Sequence, residues 1–354
     1  MKTRAAVYAE YGKPLVVDEV ELPDPGPSYV IVKQFATGIC HSQLHQLHNP
    51  QARTPGLLGH ESTGVVTAVG KGVTNVKEGD RVMTTWVPRA AYPGYKDADP
   101  PIIKWRDHEI RTGVGLGVFT WAEDVIIDSN YVVPMDSQVD TSVTSIIGCA
   151  VMTGCGAAIN TARVRPGDSV AIYGVGGVGL CIVQACANMS CDPIIAIDLS
   201  DEKLEFAKKF GATIGINAAK EDAVARVVEL TGGGADFAFD AIGAKITQEQ
   251  LLPSVRNGQF GYDEGGTAMV VGIPTGDPPI IQTGQIFRGA KILRGTVGGT
   301  GHPDVDFPLY VRWYKEGKLP LDLLVSKRYK LDEVNEACDA LTKGQIAGRA
   351  IMEF

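Results

Sequence analysis

The sequence predicts an α/β protein in which a doubly wound parallel sheet is inserted into an antiparallel, β-barrel-type domain. Three observations predict it. The chain has 354 residues, beyond the size at which one hydrophobic core keeps growing, so two domains are expected. Up to about residue 150 it consists mostly of short β-type runs separated by Gly/Pro turns. From about residue 165 strands and helices alternate, which is the rhythm of a parallel sheet covered by helices. The reading divides the chain into 1–150, 151–297 and 298–354, with the last segment returning to the first domain.

In order, "MKTRAAVYAEYGKPLVV" starts as a strand, and "YVIVKQFATG", "STGVVTAVG", "DRVMTTWVP" and "AEDVIID" follow as further short strands. Then "SVAIYG" leads into the helical "GVGLCIVQACANM", and "PIIAIDLS" into "DEKLEFAKKFGA". "DFAFDAIG", "GTAMVVGI" and "KILRGTV" supply more strands. The tail holds a helix over "DFPLYVRWYKEGK", the stretch "SKRYKLDEVNEACDALTKG" and a closing strand "RAIMEF". No internal repeat or low-complexity tract interrupts this order.

Composition excludes several functions. A net charge of −8 with no Lys/Arg-rich run argues against a nucleic-acid or anionic-membrane partner. Seven cysteines, an odd number without framework spacing, point to reduced thiols and a cytoplasmic location. The apolar stretch from Ser169 carries glycines in a strand–turn–helix pattern, which argues against a membrane span.

The segment "GVGGVG" places Gly174, Gly176 and Gly179 in a G-x-G-x-x-G pattern between a predicted strand and a predicted helix. Such a turn lets backbone approach a pyrophosphate, with Gly177 and Val178 opening the helix whose free N–H groups face the phosphates. Asp198 closes the next strand 19 residues after Gly179, where an acid meets the adenosine ribose hydroxyls. The alternative is a packing turn that binds nothing.

The stretch "GICHSQLHQLHNP" gathers Cys40 and three of the six histidines. His60 lies in "LLGHESTGVV" and Cys149 in "IIGCAVMTGCGAA". Cys40, His60 and Cys149 offer a Cys2His set of the kind that holds a catalytic zinc with one open position. Spacing alone leaves open a buried small cysteine and an ordinary core histidine.

These motifs, with "GHESTGVVTAVGKGVTNVKEGDRV" and "GRAIMEF", make the chain resemble the zinc-dependent medium-chain alcohol dehydrogenases over essentially its whole length. The resemblance implies a GroES-like catalytic domain (1–150 and 298–354), a Rossmann domain (151–297), and reversible hydride transfer between an alcohol and NAD. It implies that Cys40, His60 and Cys149 bind zinc, that Glu61 stands beside the metal, and that Ser42 touches the substrate oxygen, with His45 at the end of a proton relay. Asp198 and Lys203 match ribose-holding positions; His41 and Arg349 match positions near the cofactor pyrophosphate; Trp86 and Trp121 match substrate-pocket positions. A small-molecule alcohol, aldehyde or ketone substrate and a homo-oligomer, dimer or tetramer, are expected. Gln43 and His48 read as loop residues.

The chain also departs from that family. The region from Trp86 to Gly113 has no cysteine, so the second, structural zinc of many members is not expected. Asp97, Asp99, Asp107 and His108 there read as a solvated, charged loop. Two other functions compete: a zinc-independent NAD(P)H-dependent enone or quinone reductase of the same fold, which a metal assay separates, and a non-catalytic dinucleotide binder, which an alcohol panel separates.

Overall fold

The computed structural model describes residues 1–89, 99–111, 117–136, 138–259 and 261–354. Its contacts form two units, Met1–Cys149 with His302–Phe354, and Ala150–Gly301.

The first unit opens with β1 (Lys2–Tyr8), β2 (Val16–Glu21) and β3 (Tyr29–Ile39), then a short helix α1 (His41–Leu47). There follow β4 (Gly56–Leu57), β5 (Ser62–Val69), β6 (Arg81–Thr84), β7 (Ile102–Trp105), β8 (His108–Arg111), β9 (Asp124–Asp128) and β10 (Val132–Pro134). The chain leaves this unit within a helical stretch, Val143–Ala162, which is long and apolar enough to cross a membrane by length and composition. Of its most apolar window 89% is buried inside the protein, so it is a core helix.

The second unit contains α2 (Met152–Gly156), β11 (Val170–Tyr173), α3 (Gly177–Asn188), β12 (Ile194–Asp198), α4 (Asp201–Lys208), β13 (Ile214–Asn217) and α5 (Ala223–Leu230). It continues with β14 (Phe237–Asp240), α6 (Lys245–Ser254), β15 (Thr267–Val270), α7 (Thr283–Gly289) and β16 (Ile292–Gly295). All five strand pairings are parallel, in the order β13-β12-β11-β14-β15-β16. That order reverses at β11, the place where doubly wound sheets bind dinucleotides. Helix starts follow local chemistry: the Ser200 hydroxyl accepts the Lys203 N–H at the head of α4, and Asp222 accepts the Ala225 N–H at the head of α5. The sequence reading missed β13. Its short "IGIN" carries a glycine and half-exposed positions at the sheet edge, so it lacks the continuous apolar run of its neighbours.

The chain returns to the first unit with α8 (Pro303–Lys315), α9 (Leu321–Leu324), β17 (Val325–Tyr329), α10 (Val334–Thr342) and β18 (Arg349–Glu353). Here one sheet runs β4-β1-β2-β7-β8 and another β10-β6-β5-β3-β18-β17, with β9 also on β3. The long β3 therefore carries partners on both sides. Its core-facing residues Val30 and Val32 pack with Val66, Phe119, Val125 and Ile127. Burying such side chains contributes roughly 1.5–3 kcal/mol each relative to exposure, enough to make β3 a rigid base for the residues at its C-terminal end.

Candidate active site

β3 ends at Ile39, and Cys40 is the next residue. On one flank β5 runs antiparallel, pairing Ser62 with Thr37, and the Gly38 N–H donates to the Glu61 carbonyl at 3.1 Å. His60 and Glu61 therefore stand beside the end of β3. On the other flank β18 pairs Ala350 with Ile39, so the same register carried one step further sets Arg349 opposite Cys40. Cys149 arrives on a wide helical turn, Ile147–Val151. A Cβ on Gly148 would lie 2.1 Å from the Thr84 carbonyl oxygen, so glycine is needed for this turn to close on the end of β6. The Thr85 hydroxyl fastens it by donating to the Gly148 carbonyl at 2.7 Å.

The result is a cluster of three buried donors. One ligand atom from each of Cys40, His60 and Cys149 lies within 4.8 Å of the others. His60 turns Nδ1 toward Gln43, while its Nε2 is buried with no hydrogen-bond partner among the described residues. An orphaned imidazole nitrogen beside two sulphurs is expensive unless something binds there. Two soft sulphurs and one imidazole suit zinc and leave one position for a small oxygen ligand. The Trp86 ring stands edge-on to His60, with centroids 6.3 Å apart.

Electrostatics fit the same occupant. The Cys149 thiol shares its hydrogen bond with Cys40, which holds Cys40 well below the usual thiol range, aided by Arg349 and His60. The same hydrogen bond and burial push Cys149 well above it. A buried pair with one thiolate already favoured is primed to lose its second proton to a cation. Glu61 and Arg349 form a buried ion pair, with side chains 1% and 6% exposed. Burial opposes the Arg349 charge, but Glu61 and the two cysteines outweigh it and keep the guanidinium ionised.

Within α1, Ser42 and His45 are three residues apart, a spacing that shares a helix face. The Ser42 hydroxyl oxygen and His45 Nδ1 are both buried without a hydrogen-bond partner among the described residues. Burial lowers the His45 pKa; Cys40 works against this and His48 with it. His41 is exposed at the first position of α1.

In the second unit the glycine turn joins β11 to α3. Gly174 has φ +87°, and a Cβ on Gly179 would lie 1.9 Å from the Gly174 carbonyl oxygen. Gly176, by contrast, faces open space at the head of α3. The turn thus needs two of its glycines for its own packing, and the third leaves room for a bound group. Asp198 ends β12 and braces the turn: one carboxylate oxygen accepts the Val175 N–H at 3.1 Å, the other the Leu199 and Ser200 N–H groups. Lys203 sits in the first turn of α4, half-buried.

Comparison with known proteins gives one consistent result. Residues 26–137 match the alcohol dehydrogenase GroES-like domain family, and residues 177–316 the zinc-binding dehydrogenase family. The chain is 34% identical to an NDMA-dependent alcohol dehydrogenase of Amycolatopsis methanolica, over 99% of both chains. It is 34% identical to an S-(hydroxymethyl)glutathione dehydrogenase of Paracoccus denitrificans, over 98% of both. The crystal structure of benzyl alcohol dehydrogenase from Acinetobacter calcoaceticus superposes with a TM-score of 0.87 at 29% identity, covering 100% of this chain and 99% of that one. The chain belongs to the zinc-type medium-chain alcohol dehydrogenases. It is an oxidoreductase with the family's two-domain α/β fold.

Against that family background, four features of this dehydrogenase stand out. Gln43, read from the sequence as a loop residue, is buried in α1 and touches both Cys40 and His60. Its signal was the capping-box spacing, Gln three residues after the Cys40 N-cap. His48, the other such residue, is exposed and closes α1. Trp121 is 1% exposed in an apolar cluster with Tyr8, Leu58 and Met352, and its indole N–H donates to the Gly38 carbonyl at 3.1 Å. The indole is thus core packing beneath β3, whereas Trp86 is only half-buried. The charged region after Trp86 is partly a β7–β8 hairpin rather than a loop. Asp18 binds both the Trp105 indole N–H and the Arg106 guanidinium, and His108 stacks on Trp105. Asp99 and Asp107 are exposed, and Asp97 lies outside the described residues.

Proposed function

We propose that this protein is an NAD-dependent, zinc-containing alcohol dehydrogenase, interconverting an alcohol and NAD⁺ with an aldehyde or ketone, NADH and a proton. The observation that carries the proposal is the convergence of Cys40, His60 and Cys149 with an unpartnered His60 Nε2 between buried sulphurs. A zinc ion on these three donors would supply a Lewis acid that lowers the pKa of an alcohol oxygen, and a nicotinamide would supply the hydride acceptor.

The chain's own residues do the rest. Cys40 and Cys149 provide up to two negative charges against the dication. Glu61 stays paired with Arg349, so the carboxylate adds no net charge to the pocket. Ser42, with its hydroxyl unengaged inside the protein, accepts the alcohol proton, and His45 is the base at the far end of the path. Trp86 narrows the approach to His60, which favours flat or slender apolar substrates. In the second unit the turn at Gly174–Gly179, with Gly177 and Val178 opening α3, receives the pyrophosphate. Asp198 accepts the adenosine ribose hydroxyls and Lys203 supports it. His41 and Arg349 are proposed pyrophosphate contacts, though Arg349 is committed to Glu61 in this structure. Seven buried cysteines, none in a disulfide among the described residues, support a cytoplasmic location, and a homo-oligomer is proposed on the family's habit.

The test is cofactor reduction with a panel of alcohols, run with NAD and with NADP, on zinc-loaded and chelator-stripped protein. Turnover that survives complete metal removal would overturn the zinc reading.

A further inference from the structure

α3 ends in a Schellman turn. The Ser190 N–H donates to the Ala187 carbonyl and the Cys191 N–H to the Cys186 carbonyl, each at 3.0 Å, and Ser190 takes a left-handed φ of +60°. Such a turn folds the side chains at its two ends against one another, usually as an apolar contact. Here both ends are cysteines. Their thiols meet in a hydrogen bond, which together with burial pushes the Cys186 thiol well above the usual range. The Cys191 thiol donates onward to the Arg165 carbonyl at 3.7 Å.

The turn is also held from outside. The Ser190 carbonyl accepts the Gly167 N–H at 2.9 Å, and the Asp192 N–H donates to the Asp168 carbonyl at 3.0 Å. The two sulphurs are therefore kept side by side, the proximity that favours reaction within one chain over reaction between molecules. They differ in access: Cys186 is 0% exposed inside α3, and Cys191 is 5% exposed on the segment that enters β12.

We propose that Cys186 and Cys191 are a modification site, where hydrogen peroxide closes a reversible disulfide that staples the end of α3 to the entry of β12. Cys191, the one that solvent reaches, attacks the peroxide as a thiolate. The O–O bond breaks, one water leaves, and Cys191 becomes a sulfenic acid. The Cys186 sulphur then attacks the Cys191 sulphur. The S–S bond forms, the S–O bond breaks, and the hydroxyl departs with the Cys186 proton as a second water. Two thiols lose two electrons between them, and one peroxide is reduced to two waters. Cys186, buried and protonated, is slow to meet peroxide itself but stands ready to resolve its neighbour before a sulfinic acid forms. The bond lies at the far end of a 12-residue helix, about 18 Å from the glycine turn at its head, so it tightens the second unit without entering that turn.

The test uses the full-length protein, purified reduced and treated with hydrogen peroxide. Remaining thiols are alkylated and mapped by peptide mass spectrometry. Cys181, Cys186 and Cys191 fall in one tryptic peptide, residues 164–203. Its fragments should show Cys181 alkylated and a disulfide across Cys186 and Cys191, reversed by dithiothreitol. Oxidation should raise the circular-dichroism melting midpoint of the wild type by a few degrees and leave that of Cys191→Ser in place. Cys186→Ser, lacking the resolving thiol, should accumulate sulfenic acid at Cys191 that dimedone labels. Alkylated Cys186 and Cys191 in the peroxide-treated wild type would overturn the proposal. A disulfide joining other cysteines in their place would do the same, as would a midpoint shift no larger in the wild type than in Cys191→Ser. The wild-type map decides even if neither variant folds.

Discussion

Replacing Arg349 by methionine should destabilise the first unit severely. Arg349 and Glu61 are partners in a buried ion pair, with side chains 6% and 1% exposed. Methionine keeps much of the side-chain volume but removes the charge. The Glu61 carboxylate would remain buried close to Cys40 and Cys149 with no cation beside it. Breaking a buried pair from one side costs about 3–5 kcal/mol, because the surviving charge is left uncompensated. That is a large part of the roughly 5–15 kcal/mol that holds a typical domain together. All four tryptophans, at 86, 105, 121 and 313, belong to the first unit. Their fluorescence in a urea titration therefore reports that unit without a contribution from the other, which matters because a two-unit chain need not unfold in one step. Adding Glu61→Gln to Arg349→Met should recover more than half of the loss, since it removes the stranded charge. If Arg349→Met costs less than about 1 kcal/mol, or the double variant is no more stable than the single, the ion pair is not what the buried charges depend on.

Elemental analysis should find one zinc per chain, and Cys149→Ser should abolish zinc binding and turnover while calorimetry still detects NAD; two tightly held zincs per chain would refute the single-site assignment. NAD should be preferred to NADP by at least about 100-fold in kcat/KM, roughly 2.7 kcal/mol, because Asp198 repels a 2′-phosphate, and Asp198→Gly should narrow the gap; equal use by the wild type would remove Asp198 from the ribose. His45 acts in its neutral form, and burial lowers its pKa, so activity should fall only as pH drops below about 6.5, the ordinary histidine value. His45→Gln should slow alcohol oxidation about tenfold, less than the usual 10²–10⁴ because water can substitute, with partial rescue by imidazole buffers; an unchanged pH–rate profile would end the relay.

Local signals were legible in the sequence because they encode backbone conformation directly. The glycine turn at Gly174–Gly179 is one such case: φ +87° at Gly174 and the 1.9 Å approach at Gly179 are constraints only glycine meets. The alternation of strand and helix likewise determined the parallel sheet, with β13 missed because a glycine and its exposed edge positions break the apolar run. The chemical type of the donors, two thiols and an imidazole, was also written in the chain. Their meeting was not. Cys149 lies 89 residues beyond His60, and only the closure of its helical turn on β6 brings the two together. The pairing of Arg349 with Glu61 depends on β18 and β5 lying on opposite flanks of β3, a register set by packing along the whole strand. Gln43 illustrates both levels. Its capping position is local, but its contact with His60 required two strands and a helix to converge, and no pattern within one segment carries that information.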